Sequence, residues 1–257
     1  MAVGFGSYDA LTLQLDSTGP LVARKDLNYR FIAQREESDT FRNFAKHQRW
    51  FVNPMLAWQP RENLSFDATF EYIHHKRRVD TGIVAINNSV RLNENRFLGE
   101  PATAPDTVDG YTLQLSSDYQ LRDNWEVNID VHAQRTLYKG IGVEPDGTVT
   151  RGATTILNRF ATQFTQASEV LIAQAELSGV GNYWEMPHHL LFGTSATGVN
   201  ENNEFLGSDP DADPFALNPF RPIYGQSRPP LELERDSNER TRQVSVYAQD
   251  LLKIGAR

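Results

Sequence analysis

Tyr111-Thr112-Leu113-Gln114-Leu115-Ser116-Ser117-Asp118-Tyr119-Gln120-Leu121-Arg122-Asp123-Asn124-Trp125-Glu126-Val127-Asn128-Ile129-Asp130-Val131-His132-Ala133-Gln134 is the stretch whose period decides the fold. Up to Leu121 the odd positions are Tyr, Leu, Leu, Ser, Tyr and Leu, and the even ones are polar throughout. After Arg122-Asp123-Asn124 the alternation restarts, with Trp125, Val127, Ile129, Val131 and Ala133 opposed by Glu126, Asn128, Asp130, His132 and Gln134. A helix would mix the two sets on every face, whereas a strand sends them to opposite sides. The stretch therefore predicts a hairpin with one apolar and one strongly polar face.

The same alternation recurs on both sides of it. Leu11, Leu13 and Leu15 form one apolar file, Leu27, Tyr29, Phe31 and Ala33 a second, and Trp50, Val52, Pro54, Leu56 and Trp58 a third. Leu64, Phe66, Ala68, Phe70 and Tyr72 follow the turn Pro60-Arg61-Glu62-Asn63. Weaker strands are expected over residues 163–180, 183–200 and 242–254. That makes about nine strands of roughly 10–16 residues, where strands of globular proteins run ~5–6. Connections near 17–24, 60–63, 122–124 and 180–182 are short; those near 37–46, 79–108, 139–155 and 203–240 are longer. Alternating short and long connections are what antiparallel strands threading a membrane produce. Trp58, Tyr119, Trp125, Tyr183 and Trp184 gather beside the short turns, as an interfacial girdle or as cross-strand aromatic pairs.

Composition agrees with a wall one strand thick. Apolar residues make up 39% of the 257, low for a packed soluble domain, while aromatics at 11% argue against disorder. A net charge of −8 and the lack of any long basic stretch disfavour nucleic acid as a partner. Lys76-Arg77-Arg78 reads as a solvated strand end, with lipid phosphate as the alternative. Absence of cysteine excludes disulfide scaffolds and thiol chemistry. No apolar run approaches the ~20 residues of a membrane helix, and the first residues do not form a signal peptide.

Several segments together resemble one family, the TonB-dependent siderophore receptors, in particular the ferric-hydroxamate (ferrichrome-type) branch. They are Gly6-Ser7-Tyr8-Asp9, Gly19-Pro20-Leu21, Tyr29-Arg30, Ser38-Asp39, Phe41-Arg42 and the spaced set Pro54, Leu56, Trp58, Pro60. Asn95-Arg96-Phe97-Leu98-Gly99-Glu100-Pro101, His189-Leu190-Leu191-Phe192-Gly193-Thr194 and Val246-Tyr247-Ala248-Gln249-Asp250 complete the set. The resemblance implies an all-β fold, a segment of an antiparallel transmembrane β-barrel of about 22 strands. Residues 1–257 correspond to roughly strands 2–10 of that barrel, without the plug domain and without the C-terminal strands. It implies an outer-membrane receptor of a Gram-negative bacterium, not an enzyme, with a ferric siderophore as transported ligand and no directly bound cofactor. Expected partners are the ferric siderophore, outer-membrane lipid and lipopolysaccharide, and the TonB complex through the missing plug. A porin-like passive channel and a soluble β-sandwich binding module are the alternatives.

In such receptors aromatic residues of the strand ends and extracellular loops touch the chelate. The matching positions are Tyr138 before Lys139-Gly140-Ile141-Gly142, Asp80 in Asp80-Thr81-Gly82, and Phe220 and Tyr224 in the segment 218–225. Packing of the loops on one another is the alternative use of these side chains. The acidic run at 209–213 is followed by Pro214 and lacks the spaced Glu of a calcium loop. His74-His75 and His188-His189 are adjacent on strands, so neither pair chelates one ion by itself. No catalytic constellation is expected.

Overall fold

The computed structural model describes residues 1–21, 26–86, 88–151, 154–184, 186–209, 211 and 215–252, and the side chains of 148–151 are outside that description. Ten strands form one antiparallel sheet in sequence order among the described residues: β1 Ala2–Gly6, β2 Ala10–Pro20, β3 Leu27–Asp39, β4 Lys46–Arg61, β5 Leu64–Arg77, β6 Asp106–Arg122, β7 Trp125–Arg151, β8 Thr154–Tyr183, β9 Met186–Gly207 and β10 Glu232–Leu252. Every neighbour pair is a hairpin, and β1 and β10 are each paired on one side. The acidic run at 209–213 and the end of the strand expected to reach 254 fall partly outside the described residues.

Register joins the apolar files into one face. Tyr72↔Tyr111↔Arg135 and Phe66↔Ser117↔Ile129 are cross-strand neighbours, as are Ala68↔Leu115↔Val131↔Ala173↔Ala196↔Val244. Leu115, Ile129, Leu171, Phe192 and Val244 are exposed on this face, which suits lipid rather than a packed core. Trp50, Tyr72 and Tyr111 border it on the loop side, and Trp58, Phe66, Tyr119 and Trp125 on the short-turn side. The other face carries Asp67, Asp118, Asp130, Gln114 and Gln174, all from the polar files.

One proline in the apolar file is accommodated by its neighbour. Pro54 has no N–H to give β5, and the ladder between β4 and β5 skips from Val52↔Tyr72 to Met55↔Thr69. Asn53, 5% exposed, donates its side-chain amide to the carbonyl of Phe70 at 2.8 Å in place of the missing bond. The turns at Glu62-Asn63 and Asp123-Asn124 are short, and register shifts at Trp58/Arg61 and Gln120/Arg122 sit beside them.

The strands differ from the sequence expectation in four ways. There are ten, because Ala2–Gly6 pairs with β2; five residues are too few for alternation to show. The segment 139–155 is not a loop: β7 and β8 stay paired through Arg151↔Thr154 and run 27 and 30 residues. Pro145 and Gly147 (φ 112°) lie within this ladder, where a register shift between Pro145 and Thr148 absorbs them. β10 likewise begins at Glu232, ten residues before the expected start, so the second very long loop narrows to 208–231. The turn expected at 180–182 is strand, and the chain reverses around Trp184, whose φ is +49°. At ~3.3 Å per residue β8 reaches ~100 Å, far more than the ~25 Å apolar band of an outer-membrane barrel needs.

Candidate ligand-binding surface

On the loop side of the apolar band the polar face carries a row of side chains at one level across six strands. His47 of β4 lies opposite Arg77 of β5, and Arg77 opposite Asp106 of β6. Farther along, Gly140 of β7 lies opposite Phe164 of β8, and Phe164 opposite Phe205 of β9. Tyr138 bridges the two halves. Its hydroxyl donates to Asp106 Oδ2 at 2.6 Å, and Asp106 Oδ1 takes the N–H of Ile141 at 3.2 Å. Gly140 makes this possible, because a Cβ there would lie 2.5 Å from the Tyr138 hydroxyl. Tyr138 and Phe164 have ring centroids 5.6 Å apart, and Phe164 and Phe205 6.5 Å. Burial, with the Asp106 carboxylate as acceptor, pushes the Tyr138 hydroxyl up to about 12.

A second cluster ties the long loops to β8. Leu98, Ile86 and Leu92 of loop 78–105 and Leu217 of loop 208–231 pack on Leu157, while Phe215 packs with Val143 and Ala161. Leu157 and Leu217 exchange two backbone hydrogen bonds of 2.8 Å. Arg159, fully buried, donates to the carbonyls of Phe215, Leu98 and Gly99 and stacks over the Phe215 ring at 4.3 Å. Burial lowers its pKa, with Glu100 opposing the shift. By strand parity these residues continue the file of Leu171, Ala173 and Ala175, so the face that meets lipid lower down holds the loops above it.

The four residues expected from sequence divide between these places. Tyr138 is in the row. Asp80 accepts from Arg42 Nε at 2.7 Å and from the N–H of Gly82 at 3.1 Å, which anchors its loop to loop 40–45. Tyr224 donates to the carbonyl of Phe97 at 2.7 Å and packs edge-on against Phe44, and burial raises its pKa. Phe220 holds the same loop through backbone contacts to Asn218 and Arg96, and its side chain is 41% exposed. The row itself contains residues that sequence reading missed, Phe164 and Phe205. Their signal was present locally, as aromatics beside polar members of their files, Thr162, Gln166 and Ser168 for Phe164 and Glu201 and Asn203 for Phe205. His75 was read only against His74, yet its Nε2 lies 2.9 Å from Nδ1 of His47 on the next strand. No group of three or more His, Asp or Glu side chains suited to one metal ion occurs among the described residues.

A family model described as TonB dependent receptor-like, beta-barrel, matches residues 57–257. The chain belongs to the TonB-dependent receptor β-barrel family. It is 28% identical over 250 residues to the metal-pseudopaline receptor CntO of Pseudomonas aeruginosa strain UCBPP-PA14, covering 97% of this chain and 35% of that receptor. The chain thus spans about a third of the length of the curated relatives it matches. Among solved structures it superposes on the ferric-catecholate import receptor Fiu of E. coli K12 with a TM-score of 0.82 at 17% identity, over 98% of this chain and 38% of Fiu. The ferripyoverdine receptor of the outer membrane of Pseudomonas aeruginosa gives 0.77 at 15%, over 96% of this chain and 34% of that one. Each of the three is named a receptor, Fiu as an import receptor and the ferripyoverdine receptor as one of the outer membrane, and the two solved structures share the fold described above. None of the three names a hydroxamate ligand.

Proposed function

We propose that this chain supplies part of the wall and outer vestibule of a Gram-negative outer-membrane receptor that takes up a ferric siderophore or related metal chelate. The observation that carries the reading is the row on the polar face, where Tyr138, Phe164 and Phe205 stand in line beyond the apolar band. A bulky chelate offers broad surfaces and few polar handles, which aromatic rings can cover without demanding many hydrogen bonds. Tyr138 and the exposed Phe220 are the ligand contacts in this reading, while Asp80 and Tyr224 present the loops that carry them. The hydroxamate type expected from sequence is one member of this ligand class. Residues 1–257 serve as roughly strands 2–10 of the barrel, and energy input through TonB passes through a plug outside them. The iron enters with the chelate, as cargo and not as a cofactor. Outer-membrane lipid and lipopolysaccharide cover the apolar face.

Binding to the full-length protein in detergent tests this. Intrinsic fluorescence is followed while ferric hydroxamate, ferric catecholate, ferripyoverdine and a metal-loaded aminocarboxylate chelate are titrated. Saturable quenching by one of them, with loss of the corresponding uptake in a deletion strain, is the expected result. No binding by any, together with unimpaired iron and metal uptake in the deletion strain, rejects the receptor reading and leaves a passive channel.

A further inference from the structure

His47 and His75 are diagonal neighbours on the polar face, since His47 lies opposite Arg77 and Arg49 lies opposite His75. Their rings meet at 67° with centroids 4.5 Å apart, and Nδ1 of His47 is 2.9 Å from Nε2 of His75. Two nitrogens ~2.1 Å from one ion at a right angle would be ~3.0 Å apart, so the pair already has the spacing of cis ligands. The contact is a hydrogen bond, so one of the two nitrogens carries its proton; that proton has to move to the other ring nitrogen, and the rings to rotate, for both lone pairs to converge on one ion. Burial, and then the facing His47, lower the pKa of His75.

The surroundings define what kind of metal species fits. No third protein donor joins the pair among the described residues, so most coordination positions of a bound ion would stay with other ligands. The side chain of Arg77, between His47 and Asp106 in the row, is exposed and makes no hydrogen bond or ion pair among the described residues. A guanidinium in that position matches a carboxylate. Beyond it stand Tyr138, Phe164 and Phe205.

We propose that His47 and His75 form a contact site for a divalent transition metal that is still held by a carboxylate-bearing chelate, with Arg77 receiving a carboxylate. This rests on the chelate-receptor reading and narrows it to chelates that leave cis positions of the metal open. A ferric siderophore that saturates its ion offers nothing to the two imidazoles.

The probes are Ni2+–nitrilotriacetate, a carboxylate chelate with two open cis positions, and Cu2+ alone, with the untagged full-length protein in detergent. Wild type is expected to bind both, and the Cu2+ spectrum to show two coordinated imidazole nitrogens by electron paramagnetic resonance. His47→Gln and His75→Gln should each weaken Ni2+–nitrilotriacetate at least tenfold, while His132→Gln, elsewhere on the polar face, leaves it unchanged. Arg77→Gln should weaken the chelate severalfold without altering Cu2+ alone. Heat-modifiable migration on gels confirms that each variant is a folded barrel. Absence of binding in wild type, or wild-type affinity in either His47→Gln or His75→Gln, overturns the site; an unaltered chelate affinity in Arg77→Gln removes Arg77 from it. Ferric-siderophore binding by the wild type keeps the two readings apart: a protein that binds a ferric siderophore but not Ni2+–nitrilotriacetate keeps the receptor reading and loses the imidazole site.

Discussion

Arg159 Nη2 lies 3.6 Å from Glu100 Oε2, and the two side chains are 0% and 2% exposed. Neither of these atoms has a hydrogen-bond partner, so they face each other as an ion pair without a shared proton contact. The remaining donors of Arg159 reach carbonyls of both long loops, and Glu100 Oε1 accepts from the N–H of Gly225 at 2.9 Å. One side chain of β8 thus locks loop 78–105 to loop 208–231.

Removing one partner of a buried pair leaves the other charge uncompensated, at about 3–5 kcal/mol. Arg159→Ala is therefore expected to release both loops while the membrane-spanning ladder stays formed. Limited proteolysis should cut within 78–105 and 208–231 in the variant, with heat-modifiable migration of the barrel unchanged. Wild-type protease resistance of both loops would contradict the locking role.

Asn53 substitutes for the N–H that Pro54 lacks, so Asn53→Leu leaves the Phe70 carbonyl without a partner. An unsatisfied buried acceptor costs about 1–3 kcal/mol. Urea unfolding of the full-length protein in lipid vesicles should show that loss. In a Pro54→Ala background the backbone N–H returns, and the effect of Asn53→Leu should shrink.

The two faces of β6 predict opposite tolerance to the same charge. Leu115 is exposed on the apolar face midway between Tyr111 and Tyr119, and Gln114 is its neighbour on the polar face. Leu115→Arg should destabilise the folded barrel by about 2–4 kcal/mol in vesicles, as charges do at the bilayer midplane. Gln114→Arg should change stability far less. Equal effects would mean that the face assignment is wrong.

Tyr138 contributes a ring to the aromatic row and a hydroxyl to Asp106. Tyr138→Ala in the full-length receptor is expected to weaken chelate binding about tenfold, near 1.4 kcal/mol, from lost aromatic contact. Tyr138→Phe keeps the ring and should retain most of the affinity, although Asp106 loses one donor. Fluorescence titration separates the two variants, and undiminished affinity in Tyr138→Ala removes the residue from the binding surface.

What could be read from the chain alone follows the solvent on each side of the sheet. Where one face meets lipid and the other a polar interior, residues such as Leu113 and Gln114 must alternate, and the strand shows itself. Beyond the apolar band both faces meet water or loops, and alternation has no cause. The backbone ladder continues all the same, which is why Glu232–Arg240 and the tips of β7 and β8 read as loop and fold as strand. Aromatic positions on the polar file, Phe164 and Phe205, were legible in principle but carried no period to mark them as a group.

By itself the sequence determined the strands within the band, their two faces, the end at which the two very long loops lie and the family. Each of those depends on local order along the chain, a period of two or a run of turn residues. Only tertiary structure decided that His47, Arg77 and Asp106 stand in one row with Gly140, Phe164 and Phe205, and that His75 finds its partner on β4 rather than in His74. Cross-strand register sets these neighbours, and register is the outcome of every hairpin turn and every shift beside it. No single segment contains that information, so residues far apart in the chain share a surface that their own neighbours in sequence do not announce.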